Sequence, residues 1–306
     1  MILTVTLNAA LDLTYRVPRL LPQASHRVAR ATERPGGKGL NVARVLAALG
    51  HETVVTGFVG GPTGETLRRL LAECAGPLTD ALVPITGDTR RTVGLTDAAT
   101  GEVTQLNESG PQVTPDEWAA FGERYRRLLR DARAVALCGS LPPGVPVGAY
   151  AHLVREARAR HVPVLLDTSG EPLRRGVAAR PDVVKPNATE LAALTGSTEP
   201  LQAALDTRRR GAHAVAASLG AEGILAVTPD GSWHAVPPKP LKGNPTGAGD
   251  SAVAGLLSAW SEGLPWPDRL TRAVALSAAT VRTPAAGEFD TAVYEDLLQR
   301  VRVTRL

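Results

Sequence analysis

The sequence predicts an α/β fold: a mostly parallel central sheet covered by helices, with a small β-sheet appended to it. Short apolar β-type runs recur at residues 2–7, 53–58, 134–138, 162–167, 183–184, 214–218 and 224–227. Between them lie stretches at 39–49, 63–74, 115–130, 147–160 and 188–195 with apolar residues three and four apart. That alternation is the mark of parallel strands joined by helices. Two segments, 11–34 and 85–110, break it and predict the appendage.

The chain opens on Met1-Ile2-Leu3-Thr4-Val5-Thr6-Leu7 and turns polar at Asn8, at the carboxyl edge that carries ligands in open α/β sheets. Asp12, close behind, can accept hydrogen bonds from two hydroxyls. Next comes Pro35-Gly36-Gly37-Lys38-Gly39-Leu40-Asn41-Val42-Ala43, leading into the helix at 39–49. Bare backbone there lets a ligand approach closely, and Asn41 offers a donor and an acceptor to ligand hydroxyls; a tight turn is the equal alternative. Within 85–110, segments 91–97 and 102–107 flank a turn at 98–101 and read as a β-hairpin. No repeat and no low-complexity linker intervenes, so a single domain over 1–306 is expected, with a small β lid from about 11–34 and 85–110 packed against it. From Ala248 on, the sequence reads as helices only.

Hydrophobic residues make up 43% of the chain and charged ones 21%, the composition of a globular enzyme and not of a disordered or fibrous chain. The formal net charge is only +4, although the sequence pI is near 9.4. Arginines are spread along helices, and Arg208-Arg209-Arg210 reads as a solvated helix face, so no nucleic-acid partner is expected. Cys74 and Cys138 sit in apolar segments and form no disulfide framework, which fits a reducing cytoplasm. Neither a signal peptide nor an apolar window of bilayer-spanning length is present, so no membrane association is expected. The six histidines are scattered without metal-ligand spacing, which argues against zinc or iron.

The stretch that carries most chemistry is Asn244-Pro245-Thr246-Gly247-Ala248-Gly249-Asp250-Ser251, followed by a helix of small residues. Glycines ahead of a helix turn free amides toward one point, where the helix dipole also favours negative charge. An aspartate there would repel a resting phosphate, so a purely structural Asp250 has to be something else, such as a helix cap. The functional account is that the amides take up charge developing on a transferred phosphoryl group while Asp250 removes the proton of the attacking hydroxyl. Gly247-Ala248-Gly249-Asp250-Ser251-Ala252 also fits the dinucleotide fingerprint with alanine last, but Pro237-Pro238-Lys239-Pro240 precedes it where a strand is required. No Walker-type Gly-Lys-Ser/Thr occurs.

The two glycine clusters, in this order and roughly 200 residues apart, resemble the paired signatures of the PfkB, or ribokinase-like, sugar kinases. The likeness spans nearly the whole chain. Leu3-Thr4-Val5-Thr6-Leu7-Asn8 with Leu11-Asp12, Gly37-Lys38-Gly39-Leu40-Asn41-Val42, Thr89-Arg90, Cys138-Gly139-Ser140-Leu141-Pro142, Val184-Lys185-Pro186-Asn187 and Ser218-Leu219-Gly220-Ala221-Glu222-Gly223 resemble the branch of 1-phosphofructokinases and tagatose-6-phosphate kinases. The resemblance implies a ribokinase-like three-layer α/β/α sandwich with a mostly parallel central sheet and a small β-sheet lid. It implies ATP-dependent phosphorylation of a ketohexose phosphate: fructose 1-phosphate first, then tagatose 6-phosphate, then fructose 6-phosphate. A kinase of neutral sugars or nucleosides would leave Lys38 and Arg90 without a partner, and a non-catalytic sugar-phosphate sensor would leave Gly-Ala-Gly-Asp unexplained.

Residue by residue, the resemblance implies Asp250 as general base and the amides of Gly247, Ala248 and Gly249 as anion hole. Asp12, Gly37 and Asn41 would hold the sugar, and Lys38 with Arg90 would grip the phosphate it already bears. Arg27 would contribute from the same sheet, against the alternative of a solvated arginine on a strand. Ser140 either touches the substrate or shapes its loop. Lys185 and Asn187 would lie beside the ATP phosphates, with Ser218, Gly220 and Gly223 along the ribose and phosphate groove. Gly287, after Thr283-Pro284-Ala285-Ala286, either closes over the adenine or makes a simple turn. Asn187-Ala188-Thr189-Glu190 fits a capping box; the resemblance also associates it with Mg²⁺, Glu190 ordering metal-bound water instead of binding the ion directly. Pairing of two lids into a homodimer is a further implication. Asn8-Ala9-Ala10 and Gly60-Gly61-Pro62 depart from the commonest family pattern, where proline follows the asparagine and an aspartate is frequent; both departures bear on the choice of sugar.

Overall fold

The computed structural model describes residues 1–29 and 31–306. Its first strand, β1 (Ile2–Thr6), is buried at every position and pairs in parallel along both edges. Leu3 and Val5 enter one core and Ile2 the other, and burial on both faces is why the run is apolar instead of alternating. The chain then enters a second sheet as β2 (Ala10–Val17) and β3 (Thr32–Gly36) and returns as α1 (Lys38–Ala48) and β4 (Thr53–Val59). After α2 (Gly61–Ala72) come two short strands parallel to β4, β5 (Leu78–Asp80) and β6 (Val83–Pro84). The hairpin β7 (Arg90–Asp97) and β8 (Val103–Asn107) completes the second sheet.

Strand and helix then alternate through α3 (Pro115–Leu128), β9 (Ala134–Cys138), α4 (Ala149–Arg158), β10 (Val164–Asp167), α5 (Gly170–Ala178), β11 (Val183–Val184), α6 (Ala188–Thr195), α7 (Pro200–Arg209) and β12 (Ala214–Ser218). Antiparallel β13 (Ile224–Thr228) and β14 (Gly231–Val236) precede α8 (Ala248–Ser261), α9 (Trp266–Thr280), α10 (Thr291–Leu298) and β15 (Arg302–Arg305). The main sheet runs β15-β14-β13-β12-β11-β10-β9-β1-β4-β5, with β6 beside β4. One of its faces packs under residues of α3 to α7, including Phe121, Tyr150, Leu173 and Leu191, and the other under α1, α8, α9 and α10 through Val45, Leu257, Leu276 and Leu297.

The carboxyl-terminal end corrects the expectation of helices only after Ala248. β15 pairs with β14, Val303 opposite Ala235, and closes the antiparallel edge of the sheet. Arg302-Val303-Thr304-Arg305 is an exposed edge strand with Val303 alone half-buried, so it lacks the apolar run by which a strand is read.

The second sheet has the order β3-β2-β7-β8. Its register sets Leu13, Val93 and Leu106 in one row and Asp12, Thr92 and Asn107 in the next. Successive residues face opposite ways, so one face is apolar and the other polar. No helix among the described residues is long and apolar enough to cross a membrane.

Candidate active site

The site is assembled at the carboxyl edge of the sheet, around the start of α8. Gly247 precedes the helix with φ 83°, and a Cβ there would stand 2.5 Å from that of Ala286, so both conformation and space require glycine. The amides of Gly247, Gly249 and Asp250 have no acceptor among the described residues, whereas Ala248 donates its N–H to the Pro245 carbonyl at 3.1 Å. The Ala248 amide thus closes the turn, and Asp250 adds an open donor beside those of Gly247 and Gly249. A Cβ on Gly249 would meet only Lys185 Nζ, at 3.6 Å. Packing does not demand glycine at 249; close approach of something in the cavity would.

Asp250 is 7% exposed and makes no capping hydrogen bond at the start of α8. Its Oδ2 instead accepts from Asn41 Nδ2 at 2.8 Å. Burial, and after it the negative charge of Asp167, push the Asp250 carboxyl up to about 6, against Lys38, the Asn41 hydrogen bond and Lys185.

Asp167, at the end of β10, joins two of the chain's lysines. Its Oδ1 lies 3.1 Å from Lys38 Nζ and 3.6 Å from Lys185 Nζ. Burial pulls the Lys38 ammonium down, but Asp167, Asp250 and Glu190 together outweigh it and hold the group above its usual range. These residues line a cavity of about 680 Å³, together with Asn187, Glu190, Ser218, Gly220, Gly223, the 247–250 turn and Gln105 of the second sheet. Asn187 and Glu190 form the expected capping box of α6: Glu190 N–H donates to Asn187 Oδ1 at 2.8 Å, and Asn187 N–H to Glu190 Oε2 at 2.9 Å. Beside them an isolated parallel bridge links Asn187 to Ser218.

A second group gathers around Asn8. Arg90 Nε donates to the Asn8 carbonyl at 3.2 Å and Nη1 to that of Glu108 at 3.1 Å. Asn8 Nδ2 in turn donates to Ser140 Oγ at 3.1 Å, so Ser140 is tied to the Arg90 neighbourhood through one side chain. Asp12 faces the same space; burial raises its carboxyl to about 6, opposed by Arg90, Thr92 and Arg44. A Cβ on Gly36 would fall 2.1 Å from the Asp12 Cγ, so glycine at 36 makes room for that carboxylate. Gly37 and Gly39 are both demanded by Thr6, whose side chain would lie 2.8 Å and 2.3 Å from a Cβ at either position. The close seating of α1 on β1 therefore accounts for these glycines, and it brings Lys38 to the cavity and Asn41 to Asp250.

The two cations expected on a single phosphate stand in different groups: Lys38 with Asp167 and Lys185, Arg90 with Asn8, Asp12 and Glu108. Arg27 is exposed in the connection between β2 and β3, outside either strand, which corrects its expected place on the sheet. Gly287 does not line the 680 Å³ cavity. It lies behind the cradle, where a Cβ would stand 2.6 Å from Arg44 Nη1. There Arg44 and Arg34 share Glu288 Oε1, at 3.1 and 2.8 Å, tying β3 to the loop that holds Ala286 against Gly247. Asp167, Arg44, Glu288 and Gln105 were not singled out by the sequence. Asp167 does carry a signal, a polar residue closing an apolar run at the carboxyl edge, the same one that marked Asn8.

The family model for pfkB family carbohydrate kinases matches residues 3–292. The chain belongs to the pfkB family of carbohydrate kinases. It is 40% identical over 282 residues to the 1-phosphofructokinase of Rhodobacter capsulatus, covering 90% of this chain and 89% of that protein. Among solved structures, a possible 1-phosphofructokinase from Thermotoga maritima is similar with a TM-score of 0.92 at 29% identity, covering 100% of this chain and 99% of that one. Phosphofructokinase-2 from Escherichia coli, in complex with fructose-6-phosphate, gives 0.87 at 28% identity, covering 97% and 98%. This pfkB kinase is thus an ATP-using phosphotransferase with the ribokinase-like three-layer α/β/α fold.

Proposed function

We propose that this kinase phosphorylates D-fructose 1-phosphate to fructose 1,6-bisphosphate at the expense of ATP. The observation that carries the reading is Asp250: a buried carboxylate, one oxygen held by Asn41, at the mouth of three open amides and beside two lysines. With Oδ2 engaged by Asn41, Oδ1 is left to take the proton of the sugar hydroxyl. The hydroxyl oxygen attacks the γ-phosphorus in line, the bond to the β-phosphate oxygen breaks, and ADP leaves. The amides of Gly247, Gly249 and Asp250 receive the negative charge that builds on the transferred group.

In this reading Asp12, Asn41 and the backbone at Gly37 position the sugar, while Arg90 and Ser140, linked through Asn8, hold its resident phosphate. Lys185, Asn187, Ser218, Gly220 and Gly223 line the nucleotide side of the cavity. The side-chain oxygens there, of Asn187, Glu190 and Ser218, are hard donors, and no group of three His, Cys, Asp or Glu among the described residues makes a metal cage. Both facts suit Mg²⁺ carried on the nucleotide phosphates, with Glu190 ordering its water. Such an ion supplies charge neutralisation to the phosphates.

Similarity to the Rhodobacter capsulatus 1-phosphofructokinase favours fructose 1-phosphate. The likeness to an enzyme solved with fructose-6-phosphate keeps that sugar as the second reading, with tagatose 6-phosphate beside it. A ketohexose phosphorylated at either end is nearly pseudo-symmetric when flipped, so Arg90 meets all three. ADP release from ATP with each of the three phosphates, and with free fructose, decides the acceptor. Turnover of free fructose above all three phosphates would overturn the reading.

We also place the second sheet, from about 11–34 and 85–110, as a lid inserted in the one domain; its polar face carries Asp12, Thr92 and Gln105 over the site. Its apolar face holds Leu13, Val93 and Leu106, the last 57% exposed. A second copy of the chain would cover it as a homodimer. Sedimentation at one mass for the wild type and half that mass for Leu106→Asp is expected; a monomeric wild type would refute the pairing.

A further inference from the structure

Asp167 and Lys38 are the charged groups in the cavity to which the reaction above gives no task. The Asp167 side chain is 1% exposed. While Oδ1 takes both ammonium groups, Oδ2 is equally buried and has no partner among the described residues. A buried carboxylate is a poor source of stability unless its remaining lone pairs are satisfied, so a half-satisfied one is kept for another reason. Its two partners come from separate elements: Lys38 is the first residue of α1, and Lys185 follows β11. Both line the cavity that holds Asp250 and the open amides. A lysine side chain is long and flexible, and a common carboxylate behind two of them fixes where their charges lie.

We infer that Asp167 is a positioning residue for phosphoryl transfer, holding Lys38 and Lys185 as a pair of positive charges against the transferred group. This inference rests on the reading of Asp250 as base. It gives Lys38 to the moving phosphoryl group, while Arg90 keeps the acceptor's resident phosphate. Asp167 touches no reacting atom; it acts through the lysines, and its charge faces Asp250. The other charged groups facing Asp250 are Lys38 and Lys185, with Glu190 facing Lys38.

The test is kinetics of Asp167→Asn on the full chain. Displaced by about an ångström, the lysines should lose about 10- to 100-fold in kcat, with KM for the sugar phosphate little changed. The acid limb of kcat/KM should also move to lower pH, because a like charge beside Asp250 is gone. That shift reports the charge alone; positioning is read from the fall in kcat at unchanged KM, which a merely structural role would not give in a folded variant. In a Lys38→Met background, Asp167→Asn should cost less than it does in the wild type, since part of its route is already removed. If Asp167→Asn fails to fold, the charge-balanced double variant compared with Lys38→Met alone carries the test, and fully multiplied losses refute the inference. Wild-type kcat, or an unmoved acid limb, in folded Asp167→Asn also overturns it. An active Asp250→Asn would instead bring down the reading of the base, whatever Asp167 does.

Discussion

Replacing Asp250 with asparagine is expected to make this protein more stable while nearly abolishing turnover. The Asp250 carboxyl is raised from 3.8 to about 6, chiefly by burial. Two pKa units at about 1.4 kcal/mol each make the ionised group about 3 kcal/mol less favourable in the folded than in the unfolded chain. The sign follows from the order of ionisation. An unfolded Asp250 loses its proton near 3.8 and the folded one only near 6, so stability falls as pH rises through that window. Asparagine keeps the shape and an oxygen for Asn41 Nδ2, without the charge. Urea melts of the two proteins should therefore nearly coincide at about pH 4, and the variant should lead by about 3 kcal/mol at about pH 7. At the same pH its kcat should be lower by about 10²- to 10⁴-fold, the share of a positioned base. A gap that is the same at both pH values would refute the argument that ionisation of a desolvated carboxylate is what the variant removes. Near-normal turnover would remove Asp250 from the chemistry.

The other predictions concern the acceptor. Arg90→Ala should raise KM for the sugar phosphate by about 10- to 150-fold, the worth of charged hydrogen bonds, and leave KM for ATP alone; an equal rise for both would contradict its placement. Gly94 lies on the polar lid face between Thr14 and Gln105, and a Cβ there would meet nothing closer than 3.8 Å. Gly94→Ala should thus leave the melting temperature unchanged while raising KM for the acceptor by about 5-fold or more, as an added methyl crowds the ligand. A loss of stability with unaltered KM would show that the chain, and not the sugar, needs the glycine.

The parallel part of the sheet was legible because its strands are buried on both faces. Ile2 through Thr6 and Ala134 through Cys138 are apolar or small at nearly every position, and nothing but a central strand needs that. β15 was illegible for the opposite reason, since an edge strand with one half-buried side chain carries little pattern. At the site, residues on local motifs were readable: Asp250 follows its glycines, and Glu190 sits three residues after Asn187 as a capping box requires. Asp167 was not, because its meaning lies in Lys38 and Lys185, which only the folded sheet brings to it. The same holds for the Arg34, Glu288 and Arg44 group, drawn from β3, the loop after α9, and α1. The sequence pattern also could not divide labour between Lys38 and Arg90. Both are cations near the acceptor end of the chain's motifs, and their separation depends on which carboxylate each meets.

That separation bears on how charge is handled during transfer. Before substrates arrive, Lys38 and Lys185 are offset by Asp167 and Asp250, with Glu190 adding a further negative charge beside Lys38, so the cluster carries no excess of positive charge. Such surroundings would give ATP little side-chain attraction, and in the proposed mechanism its ground state leans on the uncharged amide donors of Gly247, Gly249 and Asp250. In the proposed mechanism Asp250 becomes neutral as it takes the hydroxyl proton, and the cluster loses one negative charge just as negative charge spreads over the phosphoryl oxygens. Proton abstraction and charge stabilisation are then one event at one carboxylate. The interaction is stronger in the transition state than before it, which is the condition for raising kcat instead of merely tightening binding.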